Sequence, residues 1–138
     1  MTPEQITLVQ SSYDRVGPDL PALATAFYAE LFAREPGLRK LFTTDLEVQK
    51  VRFAEKLTEI VRSIPRLDDL LGHTRALGYR HVDYGVHVAD YATVGDALLG
   101  ALSSVLGDDL DPPTREAWAT AYNLIAETML QGAADGNR

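Results

Sequence analysis

Apolar residues return every three or four positions along almost the whole of this chain, a period that specifies amphipathic helices and little else. One stripe is Ile6, Val9, Tyr13 and Val16. The next is Leu20, Leu23, Phe27 and Leu31, with Ala24, Tyr28 and Phe32 beside it. A third reads Leu46, Gln49, Phe53, Leu57, Ile60, a fourth Tyr91, Val94, Leu98, Leu102, Val105, and a fifth Trp118, Tyr122, Ile125, Met129. The punctuation agrees with the period. Thr2 can cap the first helix, Pro3 suits its first position and Gln5 completes a capping box. Gly17 is expected to end that helix. Thr44 or Asp45 caps the third run and Pro65 closes it, since the residue before proline avoids helical geometry. Asp111 and Pro112 open the last. "PGLRKLF" has room for a turn or two. The stretch 66–85 reads as a weaker helix interrupted by Gly72 and Gly78, and the polar tail "GAADGNR" is expected to fray.

No strand, internal repeat or linker interrupts this pattern. The expectation is one all-α domain over 1–138, with about six to seven unequal helices. A four-helix bundle needs fewer and more equal segments, so crossing helices around a central space fit better. The net charge of −7, without a Lys/Arg cluster, argues against nucleic acid or an anionic membrane as partner. There is no cysteine, which excludes disulfides, Cys-ligated zinc, Fe–S clusters and thiol catalysis. "MTPEQITLVQ" lacks a charged start followed by an apolar run, and no apolar stretch approaches ~18 residues. A cytoplasmic location is the expectation.

Three polar residues stand on otherwise apolar faces. His81, in "LGYRHVDYGVH", follows Leu77 by one turn and precedes Tyr84 by three residues. A neutral imidazole on such a face is either a hydrogen-bonded core residue or a metal ligand. Gln49 faces inward among Leu46, Phe53 and Leu57. Its amide needs a core partner, a ligand or water at the helix end, because burying it unpaired costs roughly 1–3 kcal/mol. Tyr28 has a ring that suits a core and a hydroxyl that needs a partner.

The order of these features is informative. "FYAELFAREPGLRKLF", then Gln49 with Phe53 four residues on, then "YRH", "YATVGDALLGALSSVLG" and "AWATAYNLIAE" together resemble the single-domain bacterial globins and the globin part of flavohaemoglobins. The resemblance runs over nearly the whole chain and implies a globin-like fold around a haem pocket. It implies haem b as cofactor, with His81 as the iron ligand; His73 and His87 align less well. The phenylalanine wedged against haem falls on Phe42. The distal tyrosine and glutamine fall on Tyr28 and Gln49, with Phe53 over the ring where many relatives carry leucine. Tyr91 falls near the proximal histidine, and Arg80 either reaches a haem propionate or is an exposed helix arginine.

The function implied is reversible binding of O₂, or of CO or NO, at an open iron position opposite His81. A tyrosine O–H and an amide N–H aimed at a partly charged ligand would each contribute roughly 1.5–3 kcal/mol. A sixth protein ligand from Tyr28, Lys50 or a histidine is an alternative. Nitric-oxide dioxygenation is the enzymatic alternative, and a haem-free interaction or sensor module a third. Flavohaemoglobins use a proximal glutamate on the last helix; the aligned residue here is Ala133, and Glu127 lies nearly two turns earlier. That lowers the case for peroxidase-like chemistry. With the sequence running only to Arg138, dioxygenase turnover would need an external reductase. The oligomeric state is open.

Overall fold

A computed structural model describes residues 1–42, 45–66 and 88–136. They form five α-helices: α1 (Pro3–Val16), α2 (Leu20–Arg34), α3 (Leu46–Ser63), α4 (Val88–Leu106) and α5 (Pro112–Gly136). Three 3₁₀ turns, Gly17–Asp19, Pro36–Leu41 and Gly107–Asp109, join them. Among the described residues there is no strand. The weaker helix expected over 66–85 lies outside them, apart from Arg66.

The caps form as the residue types dictate. Thr2 Oγ1 accepts from the Gln5 N–H at 3.1 Å, and Gln5 Oε1 accepts from the Thr2 N–H at 3.0 Å, a reciprocal capping box. Asp45 caps α3 by accepting from the Glu47 N–H at 2.7 Å. Asp111 does the same for α5 through the Thr114 N–H at 2.9 Å. Gly17 ends α1 as expected, without a left-handed turn, and one expectation, about the tail, is corrected. Gly17 is right-handed, with φ −41° and ψ −49°. It carries α1 directly into a 3₁₀ turn that Pro18 can join at the first turn, so no left-handed cap forms there. Among the described residues the left-handed glycine is Gly107, with φ +56°, just beyond α4. The polar tail does not fray from its first residue: α5 stays helical to Gly136, through Ala133 and Ala134, the best helix formers.

The core is built around α2, which packs chiefly on α4 and α3. Leu23, Leu31 and Leu102 are fully enclosed, with Val9 and Val16 of α1. Ala97 and Ala101, both completely buried, give α4 a small-residue face that lets α2 approach. Polar side chains fix the helices against one another. Trp118 Nε1 donates to Ser12 Oγ at 2.8 Å, joining α5 to α1 inside the core. Thr58 Oγ1 donates to the Ala54 carbonyl at 2.8 Å, which leaves Tyr13 to donate its hydroxyl proton to Thr58 and so tie α1 to α3.

Candidate functional site

The four helices α2, α3, α4 and α5 line a partly open cavity of about 150 Å³. Phe27 of α2 and Phe53, Leu57 and Ile60 of α3 form one side. Leu98 of α4, with Trp118 and Tyr122 of α5, forms the other. Periodicity puts them there, since each lies on the apolar stripe of its helix. Lys56 is the one cationic residue among the described lining residues, and its ammonium bonds Glu59 at 3.1 Å.

Phe53 settles into this wall. Its ring stacks on Phe27 at 4.3 Å between centroids and 14° between planes. The two rings therefore cover one face of each other and tie α2 to α3 at the cavity wall. They also belong to a second group that adjoins the cavity. Tyr28 meets Phe27 edge-on at 5.1 Å, Phe42 at 5.5 Å and Phe53 at 6.0 Å. Phe42 meets Phe32 at 5.5 Å, again edge-on, so that perpendicular contacts favoured by the ring quadrupoles recur across the group.

Tyr28 is 5% exposed. Its hydroxyl donates to the backbone carbonyl of Gln49 at 3.4 Å, crossing from α2 to the start of α3. That is longer than the roughly 2.5–3.0 Å of an ordinary O–H···O bond. Burial pushes the phenol up to about 12, because the phenolate would lose its hydration. Tyr28 is thus a protonated donor with a weak partner at neutral pH. Gln49 is half-buried in the second turn of α3, and it is its main chain that meets Tyr28. Lys50, its neighbour, bonds Glu47 at 3.1 Å and lines a surface groove between α2 and α3 with Val51 and Thr58. That groove and the Tyr28 cluster lie on different faces of α3.

On the opposite side, Tyr91 of α4 is 7% exposed. The Tyr122 hydroxyl donates to the Tyr91 main-chain carbonyl. Tyr122 was legible as a stripe residue, but its hydroxyl and its place in the cavity wall were not read from the sequence. The available signal was a tyrosine one turn from Trp118 on a face that has no use for an O–H unless a partner waits on the next helix.

The structure thus brings together Tyr28, Phe42, Gln49 and Phe53, while Tyr91 is buried on α4 and does not line the described cavity. His81, Leu77 and Arg80 lie outside the described residues, as do His73 and His87. Among the described residues no group of three or more His, Asp or Glu side chains gathers as a metal site. No described helix is long and apolar enough to cross a membrane.

An all-helical fold with an aromatic-walled cavity between crossing helices defines the class, and comparison agrees. The globin family model matches residues 25–129, and the chain belongs to the globin family. It is 30% identical to a flavohemoprotein of Deinococcus radiodurans over 94% of its own length, but spans only about a third (33%) of that relative. It is 27% identical to neuroglobin-1 of Oncorhynchus mykiss, covering 96% of this chain and 92% of that one. Among solved structures, an engineered carbene transferase made from a candidate nitric oxide dioxygenase of Rhodothermus marinus superposes with a TM-score of 0.87. It is 27% identical, over 98% of this chain and 94% of that one.

Proposed function

We propose that this globin binds haem b between α3 and α4, with His81 as iron ligand, and reversibly binds O₂ or another diatomic gas on the side of Tyr28, Gln49 and Phe53. The supporting observation is the apolar, aromatic-lined cavity with the buried, weakly bonded Tyr28 hydroxyl beside its stacked Phe27–Phe53 pair. The lining suits a porphyrin: aromatic and aliphatic faces to stack on, and little charge. At about 150 Å³ the space between the four described helices is smaller than a porphyrin, so they supply one part of its site.

Haem, when bound, supplies a ferrous iron with an exchangeable coordination position. The chain's own residues set what happens beside it. Phe27, Phe53 and Leu57 exclude water. The Tyr28 hydroxyl, a protonated donor, can leave the Gln49 carbonyl for a partly charged ligand, a bond worth roughly 1.5–3 kcal/mol. Phe42 braces the Tyr28 ring at right angles. By the resemblance, Arg80 would meet a propionate and Leu77 would add an apolar contact to the haem.

Replacing His81 by Ala should abolish stable haem binding while leaving the helical content intact. Retention of the native haem spectrum would mean that another residue ligates the iron. A second reading, nitric-oxide dioxygenation with an external reductase, draws support from the likeness to the flavohemoprotein and to the Rhodothermus protein. NO consumption by the oxygenated protein, sustained only when a reductase is added, is its test.

A further inference from the structure

The cations of this chain form no run, yet they are unevenly placed. Residues 34–66 hold eight of the thirteen Lys and Arg residues and five of the twenty Asp and Glu, a net of +3, so the rest of the chain carries −10. The stretch covers the end of α2, the Pro36–Leu41 turn and α3. Most of its carboxylates are engaged. Asp45 caps α3, Glu47 bonds Lys50 and Glu59 bonds Lys56, each pair at 3.1 Å. Glu30, just before it, bonds Arg34 at 3.2 Å. Arg39, Lys40, Arg52 and Arg62 are exposed and meet no carboxylate among the described residues, with Glu35 and Glu55 left to offset them. The Arg39 guanidinium lies 5.2 Å from the centroid of the Phe32 ring, which steadies the side chain and leaves its charge unneutralised. A planar guanidinium held so can take a carboxylate by two parallel hydrogen bonds. Phe32 meets Phe42 and Tyr28, and Tyr28 meets Phe27 and Phe53 of the cavity wall. Arg39 therefore stands at the surface end of a continuous group of rings that ends at the cavity. On α3, Val48 and Val51 are 42% and 58% exposed, and Val48 shares a face with Arg52 one turn on. Exposed apolar side chains beside arginines are the composition of a docking surface.

We propose that the Pro36–Leu41 turn and the exposed face of α3 form a docking surface for an acidic protein, the external electron donor of the haem site. The donor role rests on the haem reading given above. Charge selects the partner. A second copy pairing through the same face would set +3 against +3, whereas an acidic face is attracted there although the whole chain is negative. One electron passes, oxidising the donor by one equivalent and reducing ferric iron to ferrous.

The first test is a nuclear magnetic resonance titration of the full chain with a peptide of six glutamates at low ionic strength. Backbone amide signals of Arg39, Lys40 and the exposed positions of α3 should move, and the shifts should vanish at about 0.15 M salt, where charges are screened beyond about 8 Å. A peptide of six lysines should leave these signals in place and move those of Asp108, Asp109 and Asp111 instead. Arg39→Glu combined with Lys40→Glu should weaken binding of the glutamate peptide at least about tenfold. Lys40→Glu alone, which leaves the contact of Arg39 with Phe32 intact, should weaken it in the same direction, and circular dichroism of both variants checks the fold. Unmoved signals at these residues, or stronger binding to phosphatidylglycerol vesicles than to the peptide, overturn the docking surface. The second test is the salt dependence of ferric haem reduction by the anionic iron(II)–EDTA complex and by the cationic hexaammineruthenium(II). Added salt should slow the anion, as it slows any attracted reactant. A rate that instead rises with salt, following the net charge of −7, overturns the donor role. A chain that takes up no haem contradicts the haem reading and with it the donor role, while the peptide titration, which needs no haem, decides the surface by itself.

Discussion

The two sides of the cavity are built to different tolerances. At the junction of α2 and α3, Tyr28 reaches a main-chain carbonyl at 3.4 Å, amid rings 5–6 Å apart and half-exposed Phe42 and Gln49. At the junction of α4 and α5, the Tyr122 ring presses on Gly95, where a Cβ would fall 2.5 Å from it, and its hydroxyl donates to the Tyr91 carbonyl. Tyr28 is buried and Tyr122 partly buried, and desolvation pushes both phenols up. They differ in how costly it is for the hydroxyl to change partner. The loose one suits a group that must turn to a ligand. The tight one suits a group that must hold a helix still.

The sharpest way to break this comparison is to remove each hydroxyl and read ligand release. Tyr28→Phe should speed O₂ release by roughly tenfold to a hundredfold, the rate equivalent of one lost charge-assisted bond. An unchanged rate in stopped-flow displacement would take Tyr28 out of the site. Chemical denaturation should show the opposite ranking. Gly95→Ala forces a methyl into an occupied space and should cost about 1–3 kcal/mol, whereas Tyr28→Phe, which gives up one long hydrogen bond, should cost under about 1 kcal/mol. If Tyr28→Phe proves the more destabilising, the loose side is not loose.

A further effect is expected with pH. Tyr28 holds its proton more tightly folded, at about 12, than unfolded, at 10.0. Its contribution is therefore fully present below pH 10 and is lost as pH rises from 10 through 12. Alkaline unfolding of Tyr28→Phe should show a shallower fall across that window. An identical fall in both proteins would mean that Tyr28 is not desolvated.

Much of this was legible in the sequence. The stripes Leu23–Phe27–Leu31 and Leu98–Leu102 are buried as their spacing requires, and Thr2, Asp45 and Asp111 cap as their types require. These are local consequences of a 3.6-residue period and of short polar side chains at helix starts. Gly17 ends α1 as expected, but in right-handed geometry, because Pro18 follows and the chain tightens into a 3₁₀ turn. The candidate site was read as positions, and for Tyr28, Phe42, Gln49 and Phe53 those positions do converge. The partners were not legible. The pairing of Tyr28 with the Gln49 carbonyl, Phe53 lying flat on Phe27, and Tyr122 seated on Gly95 all depend on how helices distant in sequence cross, which period and propensity do not encode.

The central claim, that haem occupies the site between these two sides with His81 on the iron, is tested most directly by the absorption spectrum of the purified protein as isolated, reduced, and under CO and O₂. The account predicts a strong haem band that moves with reduction and with each gas, and that is absent from His81→Ala. A colourless protein that takes up no added haem would contradict it.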